Sequence, residues 1–366
     1  MTIPTFSFLK KPKILLILLL AVFVVSLSIL RLLKRARPAL QPISPPPPAQ
    51  TSHSTALTPN TDLLRGKFSS FPKSLPVYQF EPFTFNEHQS LSLAQKLGFD
   101  QSPTTSSLTN QGKLFSWGNE ESYLSINSQT GAIDFGQYPR SLLKKAKGQA
   151  PSPQDTQNAA TKFLKENQLE IPPASFVFKK STLLAPTGSY LKESSPDNAP
   201  LLALYYEILV SDIKIFLNRP EETPLSFIFD STLDIISFNY FPPFKSLAPP
   251  SAYPLKTEAQ VLSELKENFK IDSLSISEKP YLVFEDYQNL SSISLSSVNL
   301  VYYSSPPTQT TLQPVFIIKG AGVTKENQKA ETTTFLPAIS SEYLTAPTSS
   351  PSPSQTISPK SRFETE

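Results

Sequence analysis

The sequence predicts an α+β protein carried on an N-terminal transmembrane helix. Three observations lead there: one long apolar run near the amino terminus, three amphipathic patterns that each open on a capping signal, and short β-branched and aromatic runs after every helix. Helices and strands that come in blocks, with tight turns between the strands, belong to antiparallel sheets with helices on one face. Each expected unit is therefore a helix on an antiparallel sheet, and the units follow in tandem.

The apolar run is ILLILLLAVFVVSLSIL, Ile14 to Leu30, flanked by Lys10, Lys11 and Lys13 before it and Arg31, Lys34, Arg35 and Arg37 after it. Extended to Leu33 it gives roughly 30 Å of helix, enough to cross a bilayer. A cleaved signal peptide has a shorter apolar core that ends at small residues, whereas this one ends in LLKRARP, so the anchor is expected to stay. Those seven basic residues stand with no acid among residues 1–37, and the remaining chain has 26 basic against 30 acidic residues. The basic balance thus marks a membrane flank and no nucleic-acid surface. Basic residues on both sides leave the orientation undecided. The Pro-, Ser- and Thr-rich stretch that follows, with PPPP at Pro45 to Pro48, reads as a stiff spacer holding a domain off the membrane. Residues 1–13 are expected in the cytoplasm, 14–33 as the anchor, 34–62 as the stalk, and the bulk outside the cytoplasm.

The first helix opens at Asn86 with Gln89 three residues on, as in a capping box, and stops at Gly98. The second opens at Ser152, with Pro153 as its first residue and Asp155 in its first turn. The third opens at Thr257 with Gln260 closing the box. SYLSINSQTGAIDF after the first and LSFIFDSTLDIISF after the second read as equivalent hairpins, with turns at Ser128 to Gly131 and near Asp230 to Leu233. A longer hairpin, LLALYYEILV and IKIFLNR, turns at Ser211 and Asp212; YLVFEDY, VNLVYYS, QPVFIIKG and TTFLPAI are expected strands after the third helix. The expected units are 63–148, 149–248 and 249–345, and the Pro- and Ser-rich tail 346–366 is expected to be disordered.

Residues 204–339 resemble a known family. LYYEILVSDIKIFLNRPEETPLSFIFDSTLDIISFNY, then YPLKTEAQVLSEL, then VNLVYYSSPPTQTTLQPVFIIKG and FLPAI are similar to PepSY-like regulatory proteins, in particular the membrane-anchored Yyc-type regulators of the essential cell-wall sensor kinase of Gram-positive bacteria. Tyr302 and Tyr303 followed by Pro314, Val315 and Phe316 carry the pairing of that family's last strands; Ser211 and Asp212 stand where it usually has glycine. The resemblance implies a non-catalytic regulator or sensor, built of PepSY-like units, that binds another envelope protein such as a sensor histidine kinase.

The chemistry-bearing residues agree with a binder more than with an enzyme. Cys is absent, and His numbers 2, Met 1 and Trp 1, which removes thiolate chemistry and leaves too few imidazoles for a metal centre. His53 falls in the stalk and His88 in the first turn of a helix. The acid pairs Glu120/Glu121, Glu221/Glu222 and Glu285/Asp286 are adjacent, and adjacency does not hold two carboxylates across a cleft. No metal, cofactor or catalytic residue is therefore expected. On the strand from Leu202 to Val210 the even-numbered residues form the apolar face, so Tyr205 and Glu207 point the other way, as Tyr303 does opposite Val298, Leu300 and Tyr302. Tyr205, Glu207 and Tyr303 are the expected recognition residues. The rival readings are an envelope scaffold without a signalling role and a hydrolase with an unfamiliar carboxylate or Ser/Lys site.

Overall fold

The computed structural model describes residues 40–46, 53–55, 57–99, 102–103, 105–109, 112–172, 174–188, 190–217, 223–277, 284–304 and 309–345. The chain falls into two compact units, Met1–Pro42 and Ile43–Glu366. Of the first, residues 40–42 are described, and they form no helix or strand.

The second unit begins with β1 (His53–Ser54), β2 (Ser74–Glu81) and helix α1 (Glu87–Lys96), then β3 (Thr105–Thr109), β4 (Gly112–Gly118), β5 (Ser122–Asn127) and β6 (Ile133–Gln137). Helices α2 (Pro139–Lys145) and α3 (Pro153–Glu166) precede β7 (Ser175–Thr187), β8 (Tyr190–Glu193), β9 (Leu201–Val210), β10 (Ile213–Leu217), β11 (Leu225–Phe229) and β12 (Ile235–Tyr240). After β13 (Ser246–Leu247) and β14 (Ser251–Pro254) come α4 (Glu258–Glu267), β15 (Lys270–Ile271), β16 (Ser273–Ile276), α5 (Phe284–Gln288), β17 (Leu290–Ser304), β18 (Thr311–Thr324) and β19 (Lys329–Pro337).

The helix starts form as the caps dictate. Asn86 Oδ1 accepts from Gln89 N at 2.8 Å while Gln89 Oε1 accepts from Asn86 N, and Thr257 and Gln260 repeat the exchange. Ser152 Oγ accepts from Asp155 N at 3.1 Å. Each bond satisfies an amide that the first helical turn leaves unpaired.

Nine strands build one antiparallel sheet in the order β3-β4-β5-β6-β12-β11-β9-β7-β8. A second sheet runs β10-β17-β18-β19-β16, with β10 and β17 parallel. β10 leaves β9 through Ser211 and Asp212, both left-handed at φ 49° and 62°, the backbone that a two-residue hairpin turn requires and for which glycine is the usual choice. That hairpin joins the two sheets, and β2 adds to β18 while carrying β13 and β14.

This large mixed β-sheet overturns the expected α+β architecture of a transmembrane helix followed by tandem helix-on-sheet units. The two hairpins read as equivalent do not head separate sheets: β6 pairs with β12 from Ile133↔Tyr240 to Gly136↔Ser237. Each hairpin alone would leave unpaired N–H and C=O groups along its outer strand, and edge-to-edge pairing satisfies both rows while making one continuous apolar face. Helices α1 and α3 share that face, where Leu93, Ala94, Ala160 and Leu164 pack among Trp117, Ile126, Phe227 and Phe238. Helix α4 covers the second sheet through Val261 and Leu265. Tyr78, Ile208, Val210, Ile215, Phe244, Tyr302 and Leu312 form a third cluster drawn from both sheets. The expected anchor 14–33, its basic flanks Lys10, Lys11, Lys13, Arg31, Lys34, Arg35 and Arg37, and the tail 346–366 lie outside the described residues. Among the described residues no helix is long and apolar enough to cross a membrane.

Two local expectations also change. From the Phe of YLVFEDY onward, Phe284–Gln288 is the helix α5, and the following strand is longer than VNLVYYS because the serine-rich stretch before it extends β17 back to Leu290. Parts of the expected stalk pair with the folded body: β1 lies antiparallel to β15, Ile43 bridges to Leu344 and Asn60 to Ser294.

Candidate functional site

β9 sorts its side chains as alternation requires. Leu202, Leu204, Tyr206, Ile208 and Val210 are buried, while Tyr205, Glu207 and Leu209 are half-buried on the other face. Near the start of β9 that second face is covered by Leu142 of α2 and Leu184 of β7, over Leu201 and Ala203. Tyr205 packs at the rim of this cover, and Glu207 lies beyond it.

The strand beside β9 completes the patch. Val177 of β7 stands opposite Glu207, Phe178 opposite Tyr206 and Lys180 opposite Tyr205, so Lys179 is an extra residue. In a regular strand neighbours point to opposite faces, but a bulge breaks the alternation. Lys179 and Lys180 consequently both reach the face of Tyr205 and Glu207. Lys179 Nζ lies 3.0 Å from Glu207 Oε1, and Lys214 Nζ of β10 donates to the same oxygen at 2.6 Å. Lys180 Nζ stands 5.1 Å from the centre of the Tyr205 ring, within cation–π range.

Burial by itself would raise the pKa of Glu207; the hydrogen bonds and charges of Lys214 and Lys179 outweigh it and hold the carboxyl below its usual range. Burial pushes the Tyr205 phenol up, and the charge of Glu193 adds to that. The three ammonium groups of Lys179, Lys180 and Lys214 outnumber the carboxylates of Glu207 and Glu193 and leave this patch positive, on a platform with an aromatic surface.

Tyr303, the third expected recognition residue, is not brought to the patch. It is 2 % exposed and packs with Val301, Val315 and Ile317 against Phe216 and Phe335. β10 pairs beside β17 with Phe216 opposite Tyr303 and Ile215 opposite Tyr302, so the Phe216 and Phe335 rings flank Tyr303 on a face that alternation alone marks as outer. Tyr302 faces the other way, into the third cluster, and its hydroxyl donates to the Pro76 carbonyl at 2.9 Å.

Lys179, Lys180 and Lys214 were not singled out from the sequence. The KK pair was the signal available, but the bulge that aims both lysines at one face depends on pairing with a strand some 25 residues away. Of the other chemistry-bearing residues, His88 is exposed, the His53 ring lies 3.9 Å from that of Tyr287, and Asp286 beside Tyr287 is buried. Among the described residues no three His, Cys, Asp or Glu side chains are grouped to hold a metal. A cleft of about 490 Å³ opens between α1, α3 and the β4–β5 and β11–β12 turns. Its walls include Lys96, Glu121, Gln137, Lys145, Phe163 and Asp234, and its one hydroxyl, Ser122, donates to the Asn119 amide oxygen. Such a wall offers binding groups and no nucleophile held by a base.

No protein-family model matches the chain, and no curated protein matches it. Among solved structures it is similar to the crystal structure of an uncharacterized protein from Eubacterium rectale ATCC 33656, with 13 % identity over 72 % of this chain and 83 % of that one and a TM-score of 0.43. A likeness at that level carries no argument about what this chain does.

Proposed function

We propose that this protein is a single-pass, membrane-anchored, extracytoplasmic and non-catalytic regulator or sensor that binds another envelope protein, with a sensor histidine kinase as the partner class to which the resemblance of residues 204–339 points. The observation that carries the reading is the patch of Tyr205, Glu207, Lys179, Lys180 and Lys214. It combines a half-buried aromatic ring, the residue type that interfaces favour, with ordered charges that suit a polar rim and fix a partner's orientation. The apolar run Ile14–Leu30 supports the anchor, which would hold the patch near partners in the same membrane and raise their effective concentration.

The test replaces Tyr205 with a photo-crosslinking phenylalanine in the full chain and irradiates intact cells. The expected adduct is a membrane-anchored envelope protein, captured from position 205 and not from the exposed Lys325. Capture of the same proteins from both positions, or of cytoplasmic proteins alone, overturns the reading.

A further inference from the structure

We propose that the uncovered edge of β7, from Ser175 to Thr182, takes an extended acidic segment of a partner protein as an added antiparallel strand. This rests on the binder reading above and names its mode. β9 lies along one side of β7 from Ser175 to Leu184. The other side is covered at one end only. β8 pairs with Leu184 to Thr187, the Ser194 N–H donates to the Leu183 carbonyl, and the chain then turns away into a 3-10 turn at Pro196–Asn198. Among the described residues no strand lies against Ser175 to Thr182, and most of these residues are exposed. The outward N–H and C=O groups of such an edge are the template that strand addition uses. A strand filling it would continue the line of β8.

Charge selects the occupant. Glu207 is shared between Lys179 and Lys214, while Lys180 has no carboxylate partner among the described residues. A carboxylate on the added strand next to Lys180 would meet an ammonium held over the Tyr205 ring. Lys179 and Lys180 share the face of Glu207 and Tyr205, while Phe178, 37 % exposed, offers an apolar contact on the opposite face beside Tyr206, so the fitting segment alternates acidic and apolar residues. A second copy of this chain is the wrong occupant. Two β7 edges paired antiparallel about the centre of 175–182 would set Lys179 opposite Phe178 and Lys180 opposite Val177, gathering the four lysines of the two copies within four consecutive residue pairs, where like charges repel. Lysines and a bulge are devices by which edges resist self-association, and here the same lysines attract a strand of opposite charge.

The test uses the full chain in detergent micelles and three end-capped fluorescent decapeptides: alternating Val and Glu, alternating Val and Lys, and the Val/Glu peptide with alternate backbone nitrogens methylated. The Val/Glu peptide is expected to bind, to slow amide exchange within residues 175–182 and not along the β3 edge, and to lose at least tenfold in affinity with Lys179→Glu/Lys180→Glu. The other two peptides are expected to bind at least tenfold more weakly. Equal binding of the Val/Glu and Val/Lys peptides, or no protection of 175–182, overturns the proposal. Protection of 175–182 that grows with protein concentration and needs no peptide also overturns it, assigning the edge to a second copy. If an envelope protein is still captured from position 205 while β7 stays unprotected, the strand-addition mode fails and the binder reading stands; if neither occurs, both fail.

Discussion

Tyr206 and Tyr240 carry the same hydroxyl into the same hydrophobic cluster, with opposite consequences. Tyr240 donates to the Leu169 carbonyl at 2.9 Å, whereas the Tyr206 hydroxyl is buried without a hydrogen-bond partner among the described residues and burial pushes its pKa up to about 12. An unpaired buried hydroxyl costs about 1 kcal/mol or more, so Tyr206→Phe should raise the urea midpoint, and Tyr240→Phe, which strands a carbonyl, should lower it by a similar energy. A fall for Tyr206→Phe would show that the hydroxyl has a partner in solution. Glu207 supplies the pH dependence at this scale. Its folded pKa is depressed, so its contribution is fully present above the ordinary carboxylate pKa and is lost as pH falls through the folded value. Glu207→Gln should lower stability at neutral pH by about 1 kcal/mol, and the difference from the parent should vanish in acid. An equal difference at pH 7 and at pH 3 would remove Glu207 from the ion-pair network.

At the scale of elements, the β9–β10 turn and the β7 bulge act in opposite senses on stability and on binding. Asp212 sits at φ 62°, where a side chain is strained and glycine is not. Asp212→Gly should therefore stabilise by about 0.5–1 kcal/mol, read from the unfolding midpoint, and a loss would mean the Asp212 side chain does more than occupy the turn. Lys179 is the bulged residue, and its deletion would make the pairing of Phe178 and Lys180 with Tyr206 and Tyr205 consecutive while leaving Phe176 and Phe178 on their present face. Deletion of Lys179 should keep the fold within about 1 kcal/mol of the parent, since one exposed ion pair contributes little, while weakening the Val/Glu peptide. Deletion of Val177 should cost far more, because it sends Phe176 to the solvent face. Equal losses in the two deletions would mean that the bulge itself holds the sheet.

Over the whole molecule, β10 and the cluster around Tyr302 bind the two sheets into one structure, since Ile208 and Val210 come from one and Tyr302 and Leu312 from the other. Trp117, the single tryptophan, is 3 % exposed within the nine-stranded sheet's cluster and reports on that sheet alone. Its fluorescence and the far-ultraviolet circular dichroism should follow one urea transition; two separated midpoints would show that the sheets unfold independently.

The parts of the fold that were legible in the sequence are those encoded within a few residues. The caps at Asn86, Ser152 and Thr257 depend on a side chain meeting backbone three residues away, the turn at Ser211 and Asp212 on two adjacent left-handed residues, and the two faces of β9 on a period of two. The face on which Tyr205 and Glu207 lie follows from that period. Tyr303 was misplaced because its cover, Phe216, arrives on a parallel strand whose position no local window records. The same holds for the pairing of β6 with β12 and for the bulge that sets Lys179 and Lys180 side by side. Which edge meets which is decided by the arrangement that leaves fewest backbone groups unpaired over an apolar face, a property of all the strands together. The uncovered edge of β7 is the clearest case, because a strand is an edge only by virtue of what the rest of the chain does not place beside it.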